Sequence, residues 1–483
     1  MNTLENPRRE KVNKKVLILV LACATYLSSF AGDFEWSGLY RFEANHIENS
    51  ELDSSKNNFK DYGLHHLILK PKIVAADGLT IFGRFDIMNS GNYFHGQLFG
   101  GANRTISTSN IEETDSVGNN MGTDSLLISQ LYAELSHEFG LLKVGRAPLH
   151  FGLGLNLNAG AGDFDHYSDT RDLLSYEIAM GNYSFITTVG KVVENTIEKN
   201  TDDVNEYIFN LNYDNSDAKL KMGVLYQMRR AAGGIKDVPF GTGKVGGAGA
   251  TRPASSEKFE FNNISIYFER TEETHRWALE TAFIDGKTGI LDASDNNVGL
   301  KSYLIGFEFD YLPTASDFKY GFKFGSVSGD NPNTTNTYEG AAFDANYDVA
   351  MLLFNHQLGS SDILNSTIYG GGAGTTNVQL DVERVTNTTY LSPNISYQWR
   401  ERWNLGASFT LANLNQVNVS GSDMSKSLGS ELDLALTYKP NDNLTWVNTV
   451  GYLMAGEAFK GSTTDNFNND SAIGYMSKIA IRF

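Results

Sequence analysis

The sequence predicts an all-β fold, a transmembrane antiparallel β-barrel of about 18 strands with short turns at one end and long loops at the other. Three observations lead to this fold class. Apolar and polar residues alternate from residue 34 to residue 483, short and long connections alternate along the chain, and the last strand ends on an aromatic residue. Alternation with a period of two is expected where one strand face meets lipid and the other meets water.

The N-terminus resembles an export signal. Residues 1–31 are predicted to be a signal peptide, and residues 32–483 are predicted to form the barrel. A basic segment precedes a short apolar stretch at 16–27, and Ser29 and Ala31 are the small residues that a signal peptidase requires. Cleavage after Ala31 removes the only cysteine, Cys23. Lipoprotein-type cleavage before Cys23 is an alternative.

The composition argues against several classes of protein. The formal net charge of −18 disfavours a partner made of nucleic acid. After the signal, the sequence contains no run of about 20 apolar residues, the length that a membrane-spanning helix requires. An exported chain with alternating strands is therefore predicted to lie in the outer membrane of a Gram-negative bacterium, in contact with membrane lipid and lipopolysaccharide.

The strands follow one another without a separate domain. Clear examples start near residues 34, 64, 303, 318 and 429, and each is close to the 9–11 residues that cross a membrane at a tilt. Every even-numbered strand is followed by a short link, and the odd-numbered strands are followed by longer ones. The predicted ends at the short turns carry all the tryptophans: Trp36, Trp277, Trp399, Trp403 and Trp446. At Pro71 and Pro393, either a bulge or a different strand register is expected, because proline cannot donate to the ladder.

The last strand of the sequence has the two-faced pattern expected of the strand that closes a barrel. Tyr475, Ile479, Ile481 and Phe483 share one face, and Lys478 lies on the other. Phe483 is predicted to face lipid and to be part of the signal that the barrel-assembly machinery reads.

Motifs for enzymatic or cofactor chemistry are weak. The G-x-G-x-x-G pattern at 241–246 lies in a long loop without a β-α-β context, so no nucleotide cofactor is predicted. An acidic cluster in the 150–172 loop is predicted to be solvated, with a divalent cation as the alternative; it consists of Asp163, Asp165, His166, Asp169 and Asp172. No metal site, cofactor or catalytic group is therefore predicted.

Charged residues are predicted on the inner face, because a wide barrel is lined by polar groups. The predicted pore-lining cations are Arg41, Lys70, Lys72, Arg84, Lys219, Lys221, Lys319 and Lys323, and the anions are Asp86, Glu308, Asp310, Glu431 and Asp433. Lys70, Lys72 and Arg84 are expected to form a basic stripe. Glu308 and Asp310 are expected to neutralise Lys319 and Lys323.

The long loop 329–388 contains an apolar stretch at 349–354. Water-exposed loops rarely carry such a stretch. Three arrangements remain open: a constriction inside the lumen, packing on the rim, or a short pair of strands.

Several segments resemble one family of barrels. They are the segments 131–135, 140–148, 328–332, 354–356, 428–433, 451–452 and 455–459. Together they are similar to the alginate-export type of outer-membrane porin. The resemblance implies an 18-stranded barrel and passive transport. That family's alginate exporters have a strongly basic lumen, whereas the charges predicted to line this lumen are mixed in sign.

The function expected from these features is passive diffusion of small polar or charged solutes, including ions, or export of a polysaccharide. A plugged structural barrel or an adhesin with acidic surface loops is the alternative, followed by an outer-membrane hydrolase.

Overall fold

The computed structural model describes residues 33–87, 97–98, 126–194, 203–232, 258–292, 294–334, 336–359, 384–417, 424–461, 465 and 467–483. The predicted signal peptide, residues 1–31, and the glycine motif at 241–246 lie outside the described residues.

The described chain is almost entirely β-structure. In chain order the strands are β1 (Asp33–Glu48), β2 (Phe59–Ala76), β3 (Leu79–Ile87), β4 (Gln97–Leu98), β5 (Leu126–His137), β6 (Gly140–Pro148), β7 (Thr170–Met180), β8 (Tyr183–Val193), β9 (Val204–Asn215), β10 (Leu220–Ala231), β11 (Phe259–Thr271), β12 (His275–Leu291), β13 (Asn297–Tyr311), β14 (Phe318–Val327), β15 (Thr337–Tyr338), β16 (Thr388–Arg400), β17 (Trp403–Leu414), β18 (Ser427–Asn441), β19 (Leu444–Ala455) and β20 (Ala472–Arg482). A single turn of 3₁₀ helix follows β19 at Glu457–Lys460. No helix in the described ranges is both long enough and apolar enough to cross a membrane.

The strands form one closed antiparallel barrel. Each wall strand pairs with the next, and β20 pairs with β1, so that Arg482 lies opposite Leu39. β4 and β15 are two-residue strands outside this cycle: β4 pairs with β2, and β15 runs parallel to β13. The remaining strands make a wall of 18, which confirms the predicted fold class.

Short turns collect at one end of the barrel. The links after β2, β5, β7, β9, β11, β13, β16 and β18 contain two to six residues. All five tryptophans lie close to this end, as predicted. By the strand pairing, each also points away from the lumen. An amphipathic ring is favoured at such a position because it lies at the boundary between lipid and water.

The two faces of the wall differ in the expected way. Large apolar side chains are exposed on the outer face, for example Phe283, Leu434 and Tyr475. The inner face carries polar and charged groups, many of which are buried by chain segments inside the barrel. Phe483 is exposed on the outer face, where its ring lies against Gly38. A glycine at position 38 leaves room for that ring.

The bulges expected at the two prolines are absent, so this prediction was wrong. Pro71 lies opposite Trp36 and Pro393 opposite Phe322 in regular register. The ring of Pro71 lies over Gly83, where an added Cβ would come within 2.9 Å of the proline Cγ. A small neighbour therefore accommodates the ring without a bulge.

Candidate functional site: two loops inside the barrel

Two segments from the long-loop end fold into the lumen. Loop A comprises residues 149–169, between β6 and β7. Loop B comprises residues 328–359, after β14, with residue 335 outside the described part. Both contact inward-facing side chains of the wall and one another. The acidic loop that the sequence predicted to be solvated is therefore a component of the lumen.

Loop A binds the inner face of β1 through a buried polar network. The carboxylate of Glu43 lies 2.8 Å from Nε of Arg41 and 2.8 Å from Nε2 of His166. Lys478, on the neighbouring strand β20, approaches the same carboxylate at 3.6 Å. Arg41 also donates to the backbone carbonyl of Asp165 at 2.6 Å. Arg41 and Glu43 are almost fully buried, so the network excludes water from this part of the lumen.

Other contacts fix the far end of loop A. Arg84 on β3 donates to the carbonyl of Gly160 at 3.1 Å. Arg482 on β20 forms an ion pair of 2.6 Å with Asp163. The ring of Phe164 packs against Leu39, Ile68 and Ala480 of the wall. Because Arg482 is close to the short-turn end, loop A reaches deep into the barrel.

A buried carboxylate on the opposite wall receives the first part of loop A. Glu280 on β12 is fully buried, and its Oε2 accepts a hydrogen bond from the amide of Leu155 at 3.3 Å. Gly152 has a φ of 57°, and an added Cβ would lie 2.7 Å from the same oxygen. Glycine is therefore required for the loop backbone to approach this carboxylate.

Loop B lies against two further carboxylates, on β18. Glu431 accepts hydrogen bonds from the amides of Leu352 and Leu353 at 2.6 and 2.7 Å. Asp433 accepts one from the amide of Met351 at 3.3 Å. Both carboxylates are buried, and backbone amides satisfy part of their hydrogen-bonding capacity.

The apolar stretch of loop B forms the largest hydrophobic cluster in the lumen. Leu352 and Leu353 pack there with Phe343 of the same loop and with Tyr390 and Leu453 of the wall. Of the three arrangements left open by the sequence, the structure therefore shows insertion into the lumen.

Inward glycines receive the apolar side chains of both loops. An added Cβ at Gly306 would lie 2.5 Å from Leu155, and one at Gly223 would lie 2.9 Å from Phe151. At Gly474 the corresponding distance to Leu352 is 2.7 Å. The wall thus lacks a side chain where an apolar residue of a loop touches its backbone.

The two loops contact each other directly. The amide of Asp344 in loop B donates to the carbonyl of Leu155 in loop A at 2.7 Å. Asn346 bonds both the amide and the carbonyl of Tyr167, each at 2.9 Å. Burial is the main cause that raises the pKa of Asp344 to about 7, and the negative charges of Asp169 and Asp165 act in the same direction, against the amide of Asn346 and the charge of Arg384.

Strand pairing places most of the predicted pore-lining residues on the inner face. These are Arg41, Lys70, Lys72, Arg84, Asp86, Lys221, Glu308, Asp310, Lys319, Lys323, Glu431 and Asp433. Lys219 is the exception, and its prediction was wrong. It is exposed in the turn between β9 and β10 with a φ of 47°, because β10 begins only at Leu220.

The expected basic stripe is partly neutralised. Lys72 forms a 3.1 Å ion pair with Glu35, and Arg84 contacts Asp86 at 3.0 Å. For the Lys70 ammonium, the described residues provide no ion-pair partner within 4.0 Å. Two of the three cations are therefore compensated locally.

The acidic pair on β13 is neutralised chiefly by an unexpected residue. Arg276 lies 3.0 Å from both Glu308 and Asp310, and 2.8 Å from Glu269. Lys323 contacts Glu308 only at 3.8 Å. Arg276 follows a short turn at the start of β12. The alternating pattern of β12 places Arg276 on the inner face, and this pattern could have identified it from the sequence.

The alternative cation site in loop A is not assembled. Asp163 pairs with Arg482, His166 with Glu43, and Asp172 with Arg146, so these side chains point to different partners. Within the described ranges, no three His, Cys, Asp or Glu side chains come together as a possible metal site.

Comparison with known proteins shows the fold but no sequence family. No family model matches the chain, and no curated protein matches its sequence. The structure of Pseudomonas aeruginosa OpdK with vanillate is similar with a TM-score of 0.50 and 10% identity, over 93% of this chain and 98% of that one. An improved structure of P. aeruginosa OccK1 (OpdK) gives 0.50 and 9% over the same shares. OprD from P. aeruginosa gives 0.48 and 8%, over 94% and 95%. The chain thus has the 18-stranded barrel fold of outer-membrane porins.

Proposed function

We propose that this chain is an outer-membrane channel for passive diffusion of small polar or charged solutes, and that loops A and B set its selectivity. The observation that supports this most strongly is the combination of a closed wall with two loops inside it. A wall of 18 strands is wide enough to admit water, and inserted loops narrow such a lumen to the size of a solute.

The charges on the wall indicate the class of solute. Cations concentrate on β1, β2, β3 and β20, where Arg41, Lys70, Lys72, Arg84 and Arg482 lie. Carboxylates concentrate on β12, β13 and β18, at Glu280, Glu308, Asp310, Glu431 and Asp433. The strands β12 and β13 lie across the barrel from β1 to β3, whereas β18 is only two strands from β20. A difference in sign across a lumen creates a field that aligns solutes carrying a dipole or a charge. The local ion pairs of Lys72, Arg84 and Arg276 reduce this field. We infer that the channel favours such solutes over apolar ones.

Single-channel recording in planar bilayers tests the proposal. The full-length protein is expected to give small, discrete conductance steps. A variant in which residues 341–358 are replaced by a short Gly-Ser linker is expected to give larger steps, because the apolar part of loop B is removed. Equal conductance of the two proteins would show that loop B does not limit flow.

A plugged structural barrel or adhesin is the second candidate, and one observation favours it. Arg41, Glu43, Glu280 and Glu431 are almost completely covered by the loops, as expected for a filled lumen. In that case the full-length protein is silent in the bilayer while the loop-B variant conducts.

The resemblance to alginate-export porins suggests a more specific cargo for this channel. Export of a polysaccharide is the more specific proposal, and a polyanion would have to pass the carboxylates of β13 and β18.

We further propose that residues 1–31 direct export of this chain and that the outward ring of Phe483 contributes to recognition by the barrel-assembly machinery. Lipopolysaccharide and other outer-membrane lipids are the proposed surroundings of the outer wall. An enzymatic role is not proposed.

A further inference from the structure

A cleft of about 810 Å³ opens on the outer face of the wall, toward the long-loop end of β10 to β13. Two rows of outward side chains cross these strands and line it. The row nearer the short turns contains Ile264 and Phe283, which lie directly opposite each other. The row above it contains Asn262, Asp285 and Lys301. The cleft therefore joins an apolar surface to a polar one.

The boundary between the two rows coincides with the upper edge of the lipid belt. Phe283 is eight residues beyond His275, where β12 begins after a short turn. At about 3.3 Å per residue and a tilt of about 40°, this places Phe283 roughly 20 Å above the turn, inside a belt about 25 Å tall. Asp285 and Lys301 lie opposite each other one row higher, roughly 25 Å above the turn. The apolar row thus meets acyl chains, and the polar row meets head groups.

The polar half of the cleft offers accessible donors and acceptors. Asp285 and Lys301 are exposed, and the described part of the chain places no carboxylate within 4.0 Å of the Lys301 ammonium. Asn262 donates from Nδ2 to Oδ1 of Asp285 at 3.0 Å. The opposite side of the cleft contains Glu339 of loop B and Gln416, which follows β17. A carboxylate accepts hydrogen bonds, an ammonium donates them, and an amide does both.

This combination of groups matches a sugar better than a phospholipid head group. Each sugar hydroxyl both donates and accepts, whereas a phosphate alone would face the carboxylates of Asp285 and Glu339 without a proton to give them. Lys301 suits a phosphate attached to such a sugar. Hydrocarbon chains on the same molecule would cover the apolar row. The occupant that fits both halves is therefore a phosphorylated glycolipid.

We propose that this cleft binds one molecule of lipopolysaccharide. The phosphorylated disaccharide lies against Asn262, Asp285 and Lys301, and acyl chains cover Ile264 and Phe283. Because the short turns of such barrels face the periplasm, the cleft lies in the outer leaflet, whose lipid is lipopolysaccharide. The inference rests on the lipid surroundings proposed above and narrows them to one site, and it does not depend on what passes through the lumen.

Native mass spectrometry of the full chain in mild detergent tests the proposal, with purified lipid A as the probe. Wild type is expected to bind one lipid A molecule. Phosphatidylglycerol, which has acyl chains and a phosphate but no sugar, is expected to bind much more weakly. The double variant Asp285→Ala with Lys301→Ala should bind lipid A about tenfold more weakly, because it removes an acceptor and a charged donor. Its net charge is unchanged.

The matched control changes an outward pair outside the cleft. Arg146→Ala with Asp172→Ala also removes one cation and one anion, from exposed positions on β6 and β7. Its affinity for lipid A should equal that of wild type. Equal binding of the two lipids to wild type, or equal losses in the two double variants, would overturn the proposal, and so would the absence of a lipid A complex. The heat-induced electrophoretic shift of the folded barrel verifies that each variant is folded.

Hydrogen exchange locates the bound lipid. Loop B forms one side of the cleft through Asn331 and Glu339, and β13 forms the other through Lys301. Lipid A should therefore slow the exchange of amides in 329–334 and in 299–303 of wild type. The same lipid concentration should protect neither segment in the Asp285→Ala, Lys301→Ala variant. Protection confined to other parts of the wall would mean that lipid A binds outside the cleft.

Discussion

Loops A and B enter the same lumen, but they are attached to the wall in different ways. The deep end of loop A contacts charged wall residues, with His166 on Glu43 and Asp163 on Arg482. Loop B places an apolar cluster against the wall and offers backbone amides to Glu431. Ion pairs that reach water, such as Asp163–Arg482, depend on salt, whereas buried ion pairs and apolar packing depend on it much less. We therefore expect loop B to be the constriction that salt does not move, and the deep end of loop A at Asp163 to be the part whose position responds to salt.

The largest effect is expected from the centre of the loop A attachment. Glu43→Leu removes the acceptor that Arg41, His166 and Lys478 share. An uncompensated buried guanidinium is left behind, so the free energy of unfolding should fall by about 3–5 kcal/mol. Urea unfolding of the barrel in lipid measures this loss. Glu48→Leu, at an exposed strand end, is the control and should change the stability little. Equal losses of unfolding free energy in both variants would show that the buried network is not the cause.

The stability of loop B should depend on side-chain volume in its apolar cluster and not on salt concentration. Leu352→Ala removes methyl groups from a fully buried side chain in the apolar cluster, and the expected loss is about 3 kcal/mol. Hydrogen exchange of loop B amides, measured in low and high salt, should show the same increase in both. An increase that depends strongly on salt would mean that charges also determine the position of loop B.

The contact between the loops should depend on pH. Because the pKa of Asp344 is raised to about 7 in the folded protein, folding favours its protonated form. Its stabilising contribution is complete below the pKa of the unfolded chain, about 4, and is lost as the pH rises through about 7. Wild type should therefore lose thermal stability between pH 5 and pH 8, relative to Asp344→Asn, which stays neutral. If thermal stability changes with pH in the same way in both proteins, a group other than Asp344 is responsible.

The smallest effect is expected at the deep end of loop A. Arg482 is half exposed, so its ion pair with Asp163 is screened by water and contributes at most about 1 kcal/mol. Asp163→Asn should increase hydrogen exchange of loop A at low salt, and the difference from wild type should disappear near 1 M salt, where screening is strong. A difference that persists at high salt would show that the pair acts through packing.

The wall was predictable from the sequence because its pattern is local. A period of two assigns each strand residue to the inner or outer face without knowledge of its neighbours, and residues such as Arg84 and Glu431 lie on the inner face accordingly. Lys219 shows the limit of this reasoning. The alternation continues from Lys221 into the turn, but the positive φ at Lys219 ends the strand first.

The lumen was less predictable because its contacts join distant parts of the chain. Arg84 meets Gly160, and Asp163 meets Arg482, pairs that no local pattern connects. The acidic composition of loop A predicted solvation, since nothing in that segment indicates that cations lie opposite it. The apolar stretch of loop B was a clearer signal, because only burial explains it.

The inward glycines have an evolutionary consequence. At Gly306 and Gly474 the wall has no Cβ because Leu155 and Leu352 occupy its place. A methyl group on the wall and a bulky residue on the loop exclude each other. Substitutions at the two positions of each pair are therefore tolerated only when both change together. Divergence in this protein is therefore expected to proceed by compensating pairs, in which a larger wall residue accompanies a smaller loop residue.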